Sequence, residues 1–573
     1  MQKEIIKCII ENNLNPFSSK TNVKNNESSI FKTRDARLIF SKVTDKISNK
    51  FIFEDSSNIL SVFNFTSNTE ELKKRQEFFK TIISKDSSFL KELKSPSPVW
   101  SPKYDIVAVT SNEKTFIELK KLGCPVKYIT SSEDILDLES RDIVQVVDCE
   151  DFDSYLEQLN QTIFINNSDD VYLERYLELL SGWKKNISIL DKNDANGEIK
   201  SLVEELKPLL DLTSERKSEK ITRERVEESL ELINNTLSDN MKSLSISGEI
   251  LFKMLSQGNF PAEVSKILDK AIGESNLPEE IFNKNIPVSI NEQELSKVVK
   301  LQDSNEFVSI SERIKKYSAE LKKIPEKIKN LENLLLLFDF YTGIGSFISS
   351  INNAQFQDIN EKLEIIDSSN LFLNNAQPIS FLLDNTSKCS ILTGANSGGK
   401  TTLLEHIIQL IVLQQIGLPS SGQVSLPIFS EIYYFAKNKG GMGKGAFENL
   451  LSQMSKIIPG KQTLILADEI ESVTEPGVAG KILSATAEYF INLGCFLVIA
   501  THLGQEIKEH LPKLARIDGI EAKGLDENFD LIVSHNPILG RLAHSTPELI
   551  IEKMAKSNKN DYLEYLFKNI KNN

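Results

Sequence analysis

Residues 389–416 read CSILTGANSGGKTTLLEHIIQLIVLQQI, and the fold turns on how this stretch is parsed. CSILTG is a short apolar run of strand type, ANSGG is a glycine-rich turn, and the remainder has the length and apolar content of a helix. The turn fits the pattern GxxxxGK[ST] at Gly394, Gly399, Lys400 and Thr401. Glycines let backbone amides curl around phosphate oxygens, and the helix start adds its partial positive charge. Lys400 is placed to reach the β and γ phosphates, and Thr401 offers a hydroxyl to magnesium. The expected cradle is Gly394, Ala395, Asn396, Ser397, Gly398, Gly399, Lys400, Thr401 and Thr402.

Two downstream strands strengthen that reading. TLILADE, residues 463–469, is an apolar run ending in two carboxylates. In a parallel sheet this places Asp468 on the magnesium shell and Glu469 where it can orient or deprotonate an attacking water. CFLVIATH, residues 495–502, ends in Thr501 and His502. Strand ends in a parallel sheet share one rim, so His502 is expected as a γ-phosphate sensor. Between the loop and these strands lies GGMGKG, residues 440–445, either an anion nest or a flexible turn.

The chain has 573 residues, enough for several cores, with 40% hydrophobic and 26% charged residues. Residues 1–92 carry helical periodicity, and proline-rich SPSPVWSP at 95–102 marks a boundary. DIVAVTS, VKYIT and DIVQVVD alternate with helical stretches, predicting a small parallel α/β unit over 93–165. It lacks GxGxxG, so a connecting role is expected there. Long helices follow over 166–355. Within them, residues 313–330 carry seven Lys or Arg, whose ordinary reading is a solvated helix face and whose alternative reading is a DNA contact.

The net charge of −14 means that any nucleic-acid contact must come from a local basic surface. The five cysteines, Cys8, Cys124, Cys149, Cys389 and Cys495, have no CxxC pairing and are expected as buried thiols. No signal-peptide pattern or bilayer-length apolar run is present, so a cytoplasmic address and no membrane partner are expected.

TGANSGGKTT, LADE and ATH, with Asn396 and the double glycine before Lys400, resemble the ATPase domain of the MutS family of DNA mismatch repair proteins. QIGLPSSG (415–422), NPILGRLAHSTPELIIEKMA (536–555) and LLLLFDFYTGIG (334–345) line up with further segments of that family, in order. TRDARLIF (33–40) and ELKKRQEFF (71–79) are similar to the opening of its helical core. The resemblance is strongest to the short archaeal branch, without counterparts of the mismatch-reading domain or of the small nuclease domain.

It implies an α/β fold class: a C-terminal ABC-type P-loop ATPase domain over 356–573, a mainly helical lever and clamp region, and the connector. It further implies ATP on Gly394 to Thr402, magnesium near Thr401 and Asp468, Glu469 as catalytic carboxylate, and His502 as sensor. Function would be ATP hydrolysis by a homodimeric clamp that binds duplex or branched DNA without sequence preference. The family's Ser-Thr-Phe signature, donated across the dimer, is Gly445-Ala446-Phe447 here, and IESVTEPGVAG (470–480) adds Glu471 and Glu475 near the rim. These departures keep a second expectation open, a nucleotide-gated dimeric scaffold with weak hydrolysis that recruits proteins.

Overall fold

The structure is a computed structural model. It describes the chain apart from residues 19–29, 97–104, 122–123, 160–161, 214–220, 243–259, 395–397, 438–445, 470–475, 526–530, 544–550, 552–553, 557–559 and 572–573. The chain is mixed α/β with parallel sheets and divides into two compact units. One is Leu93–Leu331; the other joins Met1–Glu92 to Glu332–Asn573.

In the inner unit, strands β1 (Ile106–Thr110), β2 (Val126–Tyr128), β3 (Ile143–Val146) and β4 (Thr162–Phe164) form a parallel sheet in the order β2-β1-β3-β4. The two central strands, β1 and β3, are buried along their whole length, as β-branched runs covered on both faces should be. Leu119 and Tyr172 pack on one face, Ile135 and Leu156 on the other. A separate apolar cluster gathers Val226, Ile233, Leu268 and Phe282. In the basic stretch, Lys322 pairs with Asp170 at 3.0 Å and Lys327 with Glu205 at 2.8 Å. Part of its charge therefore serves contacts inside this unit, while Lys315, Lys316 and Lys323 face solvent.

The other unit is built on a five-stranded parallel sheet of β5 (Cys389–Gly394), β6 (Glu431–Phe435), β7 (Thr463–Asp468), β8 (Phe496–Ala500) and β9 (Ala515–Ile520). Its order is β6-β7-β8-β5-β9, with every pairing parallel. The four strands β5 to β8 are nearly continuous apolar runs, as a sheet covered on both faces demands. A smaller mixed sheet of Asp358–Ile359, Leu363–Ser368, Ile379–Leu383 and Gln423–Leu426 lies in the same unit.

Three helices of this unit come from far apart in the chain: α1 (Arg34–Ser48), α2 (Thr69–Lys80) and α3 (Ile324–Ser349), the last entering from the inner unit. Of these, α1 and α2 pack with α4 (Lys400–Ile416), which follows the glycine-rich turn and is buried along nearly its whole length from Leu403 on. Arg75 of α2 donates to the carbonyls of Asn64 and Gln415, each at 2.7 Å, placing a cation at the negative end of α4. Gly417 closes α4 at φ +97°, where a Cβ would stand 2.5 Å from that of Arg75. On α3, Asp339 is buried and accepts from the Ile52 and Phe53 amides and the Ser56 hydroxyl.

All five cysteines are buried free thiols. Among the described residues one helical stretch, Ser318–Ser349, is long and apolar enough to cross a membrane, and 72% of its apolar window is buried inside the protein.

Candidate nucleotide site

β5 ends at Gly394, whose φ of +134° and close approach to β9 exclude a side chain: a Cβ would lie 2.3 Å from the Ile520 carbonyl oxygen. Gly399, at φ +94°, starts α4, and a Cβ there would stand 2.9 Å from His535 Nδ1. Both glycines of the motif are thus required by the backbone path. Ala395, Asn396 and Ser397 lie outside the described residues.

Lys400 opens the helix with its side chain 2% exposed, and its ammonium donates to the Gly394 carbonyl at 2.6 Å. It therefore lies folded over the turn that it is expected to serve. The Thr401 hydroxyl donates to Asp468 Oδ2 at 2.6 Å, joining the helix start to the end of β7. Asp468 Oδ1 is buried without a hydrogen-bond partner among the described residues. Burial, more than any other influence, raises the Asp468 carboxyl above the usual carboxylate range, against the hydrogen bond from Thr401 and with the charge of Glu469. A hydroxyl beside a buried carboxylate with an unmet oxygen is the donor set of a hard cation that keeps most of its own water, so these residues fit magnesium. Among the described residues no cluster of three or more His, Cys, Asp or Glu offers a fuller metal cage.

Glu469 adopts φ +48°, and its amide donates to the Ala500 carbonyl of β8 at 2.8 Å. This left-handed turn is costly for a residue with a Cβ and directs the carboxylate back to the sheet rim. Glu469 Oε1 lies 2.7 Å from His502 Nε2 and 3.7 Å from Lys400 Nζ, while Lys437 pairs with Oε2. Burial pushes the Glu469 carboxyl up, yet the hydrogen bonds from Lys437 and His502 and the nearby charges outweigh it, so its pKa is lowered. Adjacent strands β7, β8 and β5 therefore bring Asp468, Glu469, His502, Lys400 and Thr401 to one rim.

Beside the cradle is a cavity of about 250 Å3, lined in part by Asn370, Gln377, Gly399, Thr402, His406 and His535. His535 Nδ1 donates to the Gly398 carbonyl at 2.9 Å, and its amide takes a 3.3 Å bond to Gln377 Oε1. His535 and Lys437 were not singled out by their sequence context. His535 directly precedes the family-like NPILGR, and Lys437 stands two residues beyond a strand, which were the available signals. Gly445, Glu471 and Glu475 lie outside the described residues; Ala446 and Phe447 begin the helix Ala446–Met454, and their side chains are likewise outside.

No family model matches the chain. It is 31% identical to a DNA-binding protein MutS2 of Pyrococcus furiosus over 558 residues, covering 92% of this chain and 97% of that one. The chain belongs to the MutS family. An endonuclease MutS2 of Borreliella burgdorferi is 24% identical over 67% of this MutS-family chain and 48% of its own length. A DNA mismatch repair protein MutS of Thermotoga maritima is 25% identical over 36% of this chain and 27% of its own. This MutS-family chain thus matches nearly the whole of the first relative and less than half of the other two.

Proposed function

We propose that this MutS-family chain is an ABC-type ATPase that binds DNA with little sequence preference as a homodimeric clamp. The observation that carries the reading is the convergence of Lys400, Thr401, Asp468, Glu469 and His502 on one sheet rim beside an open cavity. The cradle Gly394 to Thr402 holds the phosphates of ATP, with Lys400 turning from the Gly394 carbonyl to the β and γ oxygens. Thr401 and Asp468 hold magnesium, which when bound neutralises phosphate charge. Glu469 accepts a hydrogen bond from the attacking water and orients it toward the γ phosphorus. His502, now on Glu469 Oε1, senses the γ-phosphate. The adjoining cavity has room for the nucleoside.

The DNA part of the proposal draws on the relative named as a DNA-binding protein and on the family's helical arms, here residues 166–355. With a net charge of −14, binding relies on a local basic surface and weakens steeply with salt. The departures at Gly445-Ala446-Phe447 and at Glu471 and Glu475 favour a second reading, a nucleotide-gated dimeric scaffold with weak hydrolysis.

ATP turnover measured with and without duplex, single-stranded and branched DNA separates the two. Lys400→Ala is expected to abolish nucleotide binding. Glu469→Gln is expected to retain bound ATP while slowing turnover by about a hundredfold or more. Unchanged hydrolysis in both variants defeats the mechanism. Binding of ATP with no DNA retention at low salt assigns the scaffold instead.

A further inference from the structure

Lys437 stands two residues beyond the end of β6 and immediately before the glycine-rich residues 438–445. Its ammonium pairs with Oε2 of Glu469, leaving Oε1 to His502 and Lys400. The two carboxylate oxygens thus have separate duties. We infer that Lys437 is a positioning residue for Glu469: it anchors one oxygen so that the other is presented at the Lys400 and His502 side of the rim. This rests on the ATPase reading above.

Three physical points support the assignment. A glutamate side chain turns about three bonds, and a single contact at Oε1 leaves the carboxylate free to swing; a second contact at Oε2 fixes its plane. The pair is also stronger than an ordinary surface ion pair, because the Glu469 side chain is 10% exposed although that of Lys437 is 50% exposed. Finally, Lys400 and His502 both have work to do on a bound triphosphate, and when they turn to it Glu469 loses two of its partners. Beside several phosphate charges an uncompensated carboxylate would be driven away from the rim, whereas Lys437 approaches from the other oxygen and keeps both its charge and its grip.

Lys437→Gln and Lys437→Arg in the full chain test the assignment by steady-state ATP hydrolysis, equilibrium binding of a non-hydrolysable ATP analogue, and thermal melting. The Gln variant is expected to lose at least about tenfold in kcat, with KM and analogue affinity within about twofold of the unmodified chain and an unchanged melting temperature. The Arg variant is expected to recover most of the loss. A Gln variant with full kcat, a loss confined to KM, or an Arg variant as poor as Gln overturns the inference. Lys400-dependent hydrolysis with an indifferent Lys437 defeats only this inference; absence of Lys400-dependent hydrolysis in the unmodified chain defeats the ATPase reading and this one with it.

Discussion

Replacing His406 by glutamine is expected to flatten the acid limb of stability. His406 lies on α4 and is 1% exposed. Its Nδ1 faces Gln409 Oε1 at 3.4 Å, and its Nε2 faces the Ser368 hydroxyl at 3.1 Å. The amide oxygen can only accept, so the neutral ring carries its proton on Nδ1 and accepts from Ser368. Burial pushes the ring from the ordinary 6.5 down to about 4, with the Gln409 contact opposing. Because the folded value is depressed, the unfolded chain binds the extra proton first. Stability contributed by the neutral ring is full above about 6.5 and is lost as pH falls toward 4.

Between pH 7.5 and 5.5 the loss is about 1.3 kcal/mol, from the ratio of proton-binding terms for the unfolded and folded rings. Urea unfolding of the unmodified chain and of His406→Gln at the two pH values reads this directly, since other titrating groups cancel in the difference. The variant should be less stable at pH 7.5 by the cost of imperfect packing, and that gap should shrink by about 1.3 kcal/mol at pH 5.5. A gap of the same size at both pH values refutes the reasoning and means that the buried ring protonates as freely as an exposed one.

Gly399→Ala places a Cβ 2.9 Å from His535 Nδ1 at a φ of +94°. It is expected to weaken ATP affinity at least about tenfold while costing about 1 to 2 kcal/mol in stability, read by analogue titration and melting. Arg75→Met removes two 2.7 Å bonds, one to the buried Gln415 carbonyl and one to the half-covered Asn64 carbonyl, and leaves Glu71 without its partner at 3.2 Å. A loss of about 3 kcal/mol is expected by urea unfolding, and a loss below about 1 kcal/mol would mean that the end of α4 is held by apolar packing alone.

The strand, glycine-rich turn and helix around Gly394 to Lys400 and the acidic and histidine strand ends were legible because each is contiguous: strand, turn and helix follow one another over fewer than thirty residues, and an apolar run ending in Asp-Glu or Thr-His sets those side chains at a fixed place. Lys437 and His535 were not, because each reaches the rim from a loop whose local sequence has no periodicity to fix its direction. The same holds for the union of residues 1–92 with 332–573. Helical spacing in TRDARLIF predicts an apolar face, yet it carries no address for the surface that the face will cover. Arg75 looked like one of several charges in ELKKRQEFF, and only the carbonyls of Asn64 and Gln415 explain why it is buried.

The outer edge of the five-stranded sheet is closed by the first part of the chain. Lys32 donates to the Ile432 carbonyl at 2.9 Å and Ile432 to that of Ile30 at 2.8 Å. The Tyr434 amide is taken by the Thr33 hydroxyl and that of Ala436 by Asp35. Some four hundred residues separate these partners in sequence. During synthesis at about 5 to 20 residues per second, residues 30–36 wait on the order of tens of seconds for the strand they are to seal. A fragment expressed from residue 332 onward would carry β6 as a bare, apolar sheet edge, open to pairing with another chain. Residues 30–36 thus cover the edge of a sheet whose edge strand follows some four hundred residues later in the chain.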